Sequence, residues 1–208
     1  MTELIWEGKY DKDGRRVAPL RIALPFQTVE TVNESTQERQ LSMDRLLAGR
    51  DPEWRNCLIW GDKKYVLPSL LEEFAGKVDL IYIDPPFDTG ADFSFQVHVD
   101  GEGFTKEPSI IEQKAYRDTW GRGLDSYLQW FSETMALLRD LLSETGSVYV
   151  HIGPNMNHLA RACLDEIFGI DNFQSEIIWK RVAARSHAKT LPFSHDSILL
   201  YTRSASSV

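Results

Sequence analysis

Cysteine is scarce in this chain: Cys57 and Cys163 are the only two among 208 residues. They fit neither metal-knuckle spacing nor a disulfide framework, which points to a reducing, cytoplasmic setting. No apolar run approaches the roughly 20 residues that cross a bilayer. The opening Met1-Thr-Glu-Leu-Ile-Trp-Glu7 is neither basic nor continuously apolar, so no secretory leader and no membrane partner are expected. His98, His151, His158, His187 and His195 show no H-x-H or H-E-x-x-H spacing, which argues against a metal. G-x-S-x-G is absent, and with it the nucleophile turn of a serine hydrolase. Gly101-Glu-Gly103 and Gly121-Arg-Gly123 lack the third glycine and the preceding buried strand of a phosphate loop. Positive charge is short as well. A net charge of −8 excludes a generic nucleic-acid-coating protein, whose affinity comes from Lys and Arg at phosphates.

What stands out is Val78-Asp-Leu-Ile-Tyr-Ile-Asp-Pro-Pro-Phe87. The apolar run Leu80–Ile83 reads as a short strand buried on both faces, stopped by an acid and two prolines. Proline fixes its own φ, offers no N–H, and pushes the residue before it out of the helical region. Asp84-Pro85-Pro86 is therefore a stiff turn holding a carboxylate at the carboxyl end of a strand, where open α/β sheets bind ligands. A carboxylate beside the backbone carbonyls of Asp84 and Pro85 suits an exocyclic NH₂ group, which carries two donors. Phe87 adds an aromatic face for a planar base. A strand-ending turn whose aspartate caps the next segment accounts for the same three residues.

The flanks decide between the two. Leu80-Ile-Tyr-Ile-Asp-Pro-Pro-Phe-Asp-Thr-Gly90 resembles the Asp-Pro-Pro-Tyr/Phe motif of the adenine-specific DNA amino-methyltransferases. The match is to the permuted group that includes type III restriction-modification methylases, in which the catalytic motif precedes the cofactor motif. The resemblance spans residues 57–203. It implies a three-layer, Rossmann-like, S-adenosylmethionine-dependent methyltransferase sheet of the α/β class. It also implies catalytic roles for Asp84, Pro85, Pro86 and Phe87, and a place for Asp62 beside the adenine of the cofactor. DNA is the implied substrate and a restriction subunit an implied partner.

The remaining segments arrange themselves around that turn. Residues 1–56 read as an N-terminal extension, with an Asp-Gly hairpin signal at Tyr10–Arg15 and a short helix around Leu41, Met43, Leu46 and Leu47. Arg21 and Leu24-Pro-Phe-Gln27 resemble leaders of type III methylases without an assignable chemistry. Residues 57–208 read as the catalytic half of a methyltransferase domain. Cys57-Leu-Ile-Trp-Gly-Asp62 predicts a strand, and Val66, Leu67, Leu70, Leu71 and Phe74 a helix that Asp62 can N-cap and Gly76 ends, completing a β–α–β unit. Pro68 is tolerable only near the first turn of that helix.

Residues 88–123 read as one long loop beside the catalytic turn, where Tyr116, Arg117 and Trp120 could meet nucleic acid. Leu124 to Leu142 recur at helical spacing toward Gly146, and Ser147–Ile152 follows as a strand. His151 ends that strand on the edge shared with Asp84 and either borders the pocket or is structural. A further helix carries Met156, Leu159, Ala160, Cys163 and Ile167 to Gly169. Ile177–Trp179 and Ile198–Tyr201 then predict an antiparallel pair around the basic loop Lys180–Ser194. Such a basic segment permits DNA contact, and a solvated loop explains it equally.

Family members follow that pair with a recognition region and a strand ending in Phe-x-Gly-x-Gly, and neither pattern occurs here. The expectation is thus the catalytic half alone, with the C-terminal cofactor strands missing. In that half the Cys57–Asp62 strand would have no neighbour, the Asp84 strand would expose an apolar edge, and the missing half would be a partner. The expected function of the parent enzyme is methyl transfer from S-adenosylmethionine to adenine N6 in DNA, and the catalytic half by itself is expected to be inactive. The alternatives are a non-catalytic remnant or partner module, or an amino-methyltransferase acting on cytosine N4 or RNA.

Overall fold

The structure, a computed structural model, describes residues 3–30, 56–86, 95–99, 102–106, 123–181 and 193–204. Phe87, the short helix expected around Leu41, and Tyr116, Arg117 and Trp120 lie outside the described residues.

Helix α1 (Lys63–Phe74) begins where the Asp62 side chain accepts from Lys64 N at 2.9 Å. It ends before Gly76, whose φ of +68° suits glycine alone among common residues. Pro68 lies within the helix rather than in its first turn. It is buried, and beside it the Ser69 hydroxyl donates to Tyr65 O at 2.7 Å. Strand β1 (Val78–Ile83) follows. Where one long loop was expected, β2 (Phe95–Val99) and β3 (Glu102–Lys106) form an antiparallel hairpin. Asp100-Gly101 between them is a two-residue hairpin signal that helical and strand periodicity alone does not register.

Helix α2 (Leu124–Leu141) gives way directly to β4 (Leu142–Ile152), which begins earlier than the predicted strand. Gly146 does not end the helix. It lies in an irregular stretch of β4, between the pairs Val78–Leu142 and Leu80–Ser147. A Cβ there would lie 2.7 Å from Val78 O, so the close approach of β1 and β4 requires glycine. Helix α3 (Asn157–Phe168) stops at Gly169 as expected. Strands β5 (Phe173–Lys180) and β6 (His195–Thr202) form the predicted antiparallel pair.

The four-stranded sheet has the order β1-β4-β6-β5, with β1 parallel to β4 and the other pairings antiparallel. Side chains alternate faces along each strand. Val148, Val150, Ile152, Leu199 and Tyr201 point to one face and are fully buried in a cluster with Tyr127, Leu128, Phe131 and Met135 of α2 and Ala160, Cys163 and Leu164 of α3. Leu67, Leu70, Leu71 and Phe74 of α1 pack against the same cluster. Fully burying one such large apolar side chain is worth about 1.5–3 kcal/mol. This sheet and helical layer form a partial Rossmann-like architecture.

Two expectations need correction. Residues Cys57–Asp62 form no strand: Leu58 is 99% exposed and Trp60 88%. Strand β1 is not buried on both faces either, since Leu80 is 60% and Tyr82 54% exposed. Both follow from one cause. β1 stands at the end of the sheet, so among the described residues Cys57–Asp62 finds no ladder, and no helix packs over the face of β1 that carries Leu80 and Tyr82. Among the described residues β1 has an unpaired edge.

The N-terminal residues run as a strap over the helices. Their hairpin signal is real: Tyr10 bridges Arg16, Asp11 Oδ1 accepts from Asp13 N and Arg15 N, and Gly14 has φ +74°. Trp6 enters the core, and its Nε1 donates to Gln129 at 2.8 Å. Arg21 meets Asp140, and Leu24 N donates to Ser69 Oγ at 2.8 Å. Lys9 is 1% exposed and bonds Glu166 Oε2 at 2.7 Å and Leu4 O at 2.6 Å, with Glu3 Oε1 at 2.8 Å. Burial pulls the Lys9 ammonium toward neutrality, but the hydrogen bonds to Glu166 and Glu3 prevail and raise its pKa.

Candidate active site

Period-two alternation places the site. Tyr82 pairs with Tyr149, so Tyr82 and Asp84, two residues on, lie on the face that carries Tyr149 and His151. His151 pairs with Ile198, which puts Asp196 on that same face, and Trp179 pairs with Asp196 just before Arg181. Asp84, His151, Asp196 and Arg181 thus gather at one edge of the sheet from four different strands. β1, β4 and β5 end there and β6 begins there.

The contacts bear this out. The Tyr82 hydroxyl lies 3.1 Å from His151 Nδ1, and Asp84 Oδ1 lies 3.8 Å from the same nitrogen. On the opposite side of the ring, Nε2 lies 3.4 Å from Asp196 Oδ2. Arg181 Nη1 donates to Asp196 Oδ1 at 3.3 Å, and Arg181 N to Ser194 O at 2.8 Å. The Asp84 side chain is 60% exposed, while Asp196 is buried. Pro85 is buried and Pro86 half-buried, so the turn is anchored beneath a carboxylate that faces solvent. The arrangement presents a hydrogen-bond acceptor to solvent.

Asp62 stands at the start of α1, exposed, with one oxygen on the helix amide of Lys64. It performs the capping role, which leaves the carboxylate a second oxygen for a ligand. Next to it, Lys63 Nζ sits 4.5 Å from the Trp130 ring centroid. Burial pulls the Lys63 ammonium down to about 8, against the opposing charges of Glu133 and Asp62.

Of the sequence-predicted residues, Asp84, Pro85 and Pro86 follow β1 directly, Asp62 caps α1, and Phe87 lies outside the described residues. Tyr82, Asp196 and Arg181 were not singled out as site residues. Their signals were present: Tyr82 shares the Asp84 face by spacing, and Asp196 lies two residues before Ile198, on the same face of that strand. Among the described residues no group of three or more His, Cys, Asp or Glu could hold a metal. None of the described helices is long and apolar enough to cross a membrane. A cavity of about 310 Å³ lies elsewhere, under the strap, and shares no residue with the Asp84 edge. Its Arg21 and Arg16 are engaged by Asp140 and Glu166 of its own wall.

Residues 78–207 match the DNA methylase family of N6 and N4 methyltransferases. The chain is 30% identical over 159 residues to the Mod subunit of the type III restriction-modification enzyme EcoP15I from Escherichia coli, a match covering 72% of this chain and 24% of that protein. It is 32% identical over 149 residues to the type II methyltransferase M.EcaI from Enterobacter cloacae, covering 71% of this chain and 29% of the relative. The chain thus spans about a quarter of the length of the curated relatives it matches. Among solved structures, PvuII DNA methyltransferase, titled cytosine-N4-specific, aligns at 17% identity with a TM-score of 0.42, covering 70% of this chain and 48% of that one.

Proposed function

We propose that this chain, which belongs to the N6/N4 DNA methylase family, carries the catalytic edge of an enzyme that methylates adenine N6 in DNA. The observation supporting the reading is the exposed Asp84 carboxylate, held on a buried proline at the carboxyl end of β1. Extruded from the duplex, the target base stacks on Phe87. Its amine donates to the Asp84 carboxylate and the Pro85 carbonyl, which draws the nitrogen toward tetrahedral geometry and frees its lone pair. Asp84 need not be a strong base, because the proton can leave after the new bond forms. Positioning and fixed electrostatics provide most of the rate.

When bound, S-adenosylmethionine supplies an electrophilic methyl group on a sulfonium centre. The residues present suit it: Asp62 offers a free carboxylate oxygen beside the exposed apolar Leu58 and Trp60. Asp62 would then hold the adenine end of the cofactor. The relatives named Mod subunits belong to type III restriction-modification enzymes, so a restriction subunit is the protein partner proposed here. The setting that goes with it is the cytoplasm.

The test is Asp84→Ala in the intact protein, with single-turnover DNA methylation and calorimetric cofactor binding measured side by side. Methyl transfer should disappear while S-adenosylmethionine still binds. Near-normal turnover would refute the role of Asp84, and loss of both would make it a folding or cofactor residue. Nucleoside analysis of the methylated DNA should show N6-methyladenine; N4-methylcytosine alone would move the target to cytosine.

A further inference from the structure

We propose that His151 is a positioning residue for the Asp84 turn, braced from behind by the buried Asp196 and by Arg181. The inference rests on the reading of Asp84 as the acceptor of the target amine. Asp84 and Tyr82 both stand on an edge strand, half in solvent, where side chains are freest to change rotamer. A carboxylate that must meet a planar amine requires the opposite, since a displacement of 1 Å can cost about 100-fold in rate. His151 is the side chain that joins this exposed edge to the interior.

Its two ring nitrogens serve opposite sides. Nδ1 faces the Tyr82 hydroxyl at 3.1 Å and Asp84 Oδ1 at 3.8 Å, and Nε2 faces Asp196 Oδ2 at 3.4 Å. The ring spans the two sides: the Tyr82 hydroxyl is within hydrogen-bond distance of Nδ1, and Asp196 Oδ2 stands at ion-pair distance from Nε2. In the tautomer that carries its proton on Nε2, on the side of the Asp196 carboxylate, Nδ1 accepts from the Tyr82 hydroxyl. Asp196 cannot drift, because it is buried and bonded to Arg181, whose backbone is in turn bonded to Ser194. The ring therefore transmits the position of a buried carboxylate to the side chains that flank the catalytic turn. The chain of contacts runs from the end of β5 through β6 and β4 to β1.

The experiment compares His151→Leu, His151→Asn and Tyr82→Phe in the intact protein, with methyl transfer measured in single turnover. Affinities for S-adenosylmethionine and for a DNA duplex are measured separately. His151→Leu should slow transfer by about 10- to 100-fold with both affinities within about 3-fold of the parent, because misplacement rather than lost contact is the defect. Asparagine, which returns a polar atom near the Nδ1 position, should recover most of the rate, and Tyr82→Phe should cost less than His151→Leu. Parental single-turnover rates in a folded His151→Leu protein would overturn the proposal. So would a parallel fall of rate, both affinities and thermal stability that asparagine does not rescue, which marks a purely structural histidine.

Nitrogen-15 NMR of the ring tests the link without any activity. The neutral ring should be protonated at Nε2, its Nδ1 resonance moving with Tyr82→Phe and Asp84→Asn and its Nε2 resonance with Asp196→Asn. A ring protonated at Nδ1, or one indifferent to Asp84→Asn, overturns the proposal even if the enzyme is active. If the parent protein methylates nothing, the reading of Asp84 fails, and the NMR alone decides whether His151 and that carboxylate are coupled.

Discussion

On the helical side of the sheet, Val148, Val150, Leu199 and Tyr201 are fully buried, and the strap is tied across the helices by Trp6, Lys9 and Arg21. On the opposite face of β1, Leu80 and Tyr82 are no less apolar, yet both stand more than half exposed. Cys57–Asp62 carries Leu58 and Trp60 into solvent in the same way. The residue types do not differ between the two regions; the neighbours do. Among the described residues, one face has three helices and a strap against it, and the opposite face of β1 has no helix over it. Stability is thus concentrated on the side away from the chemistry, and the candidate catalytic turn sits on the thinly supported side.

The sharpest way to break this comparison is at the strap. Lys9→Met removes the buried cation and leaves Glu166 without its shortest partner, so unfolding by urea should show a loss of about 3 kcal/mol. A loss below about 1 kcal/mol would mean the strap is ornamental to the fold, since surface substitutions typically stay within about 0.5 kcal/mol.

A smaller effect is expected at the seam between α1 and α2. Lys63 has its pKa lowered to about 8 by burial, below its ordinary 10.5. A depressed lysine binds fewer protons folded than unfolded between those values, so its cost is fully present below about pH 8. Stability should then rise as pH rises through that window. Lys63→Met should stabilise the chain by about 1–2 kcal/mol at pH 7 and flatten the rise above pH 8. A Met variant less stable than the parent at pH 7 would show that the contact with Trp130 outweighs the burial.

The edge should give the least change in stability and a clear change in behaviour. Leu80→Lys and Trp60→Ser should each alter unfolding free energy by no more than about 0.5 kcal/mol, as for exposed positions generally. Leu80→Lys should also reduce concentration-dependent association in sedimentation velocity, because a charge on a bare strand edge opposes strand-to-strand pairing. Association that persists unchanged would place the sticky surface elsewhere.

Much of the fold was legible in the residues. The helices around Leu70, Phe131 and Cys163 follow their apolar spacing, and Gly76 and Gly169 end two of them. The β5–β6 pair and the Asp84 turn were equally legible, because proline and chain direction act locally. Cys57–Asp62 was misread because its residues suit a strand, yet a strand exists only with a ladder partner. β1 was misread as doubly buried because an apolar run describes what a strand can bury, not what covers it. Gly146 looked like a helix stop because its real constraint, the carbonyl of Val78, is distant in sequence.

By itself, the sequence determined the stiff Asp84-Pro85-Pro86 turn at a strand end, since φ restriction and the missing proline N–H act within a few residues. Only the tertiary structure decided what stands around that turn. His151 and Asp196 come from strands far along the chain, and sheet order and register bring them to Asp84. Register is set by pairing across the whole sheet, and no local pattern contains it.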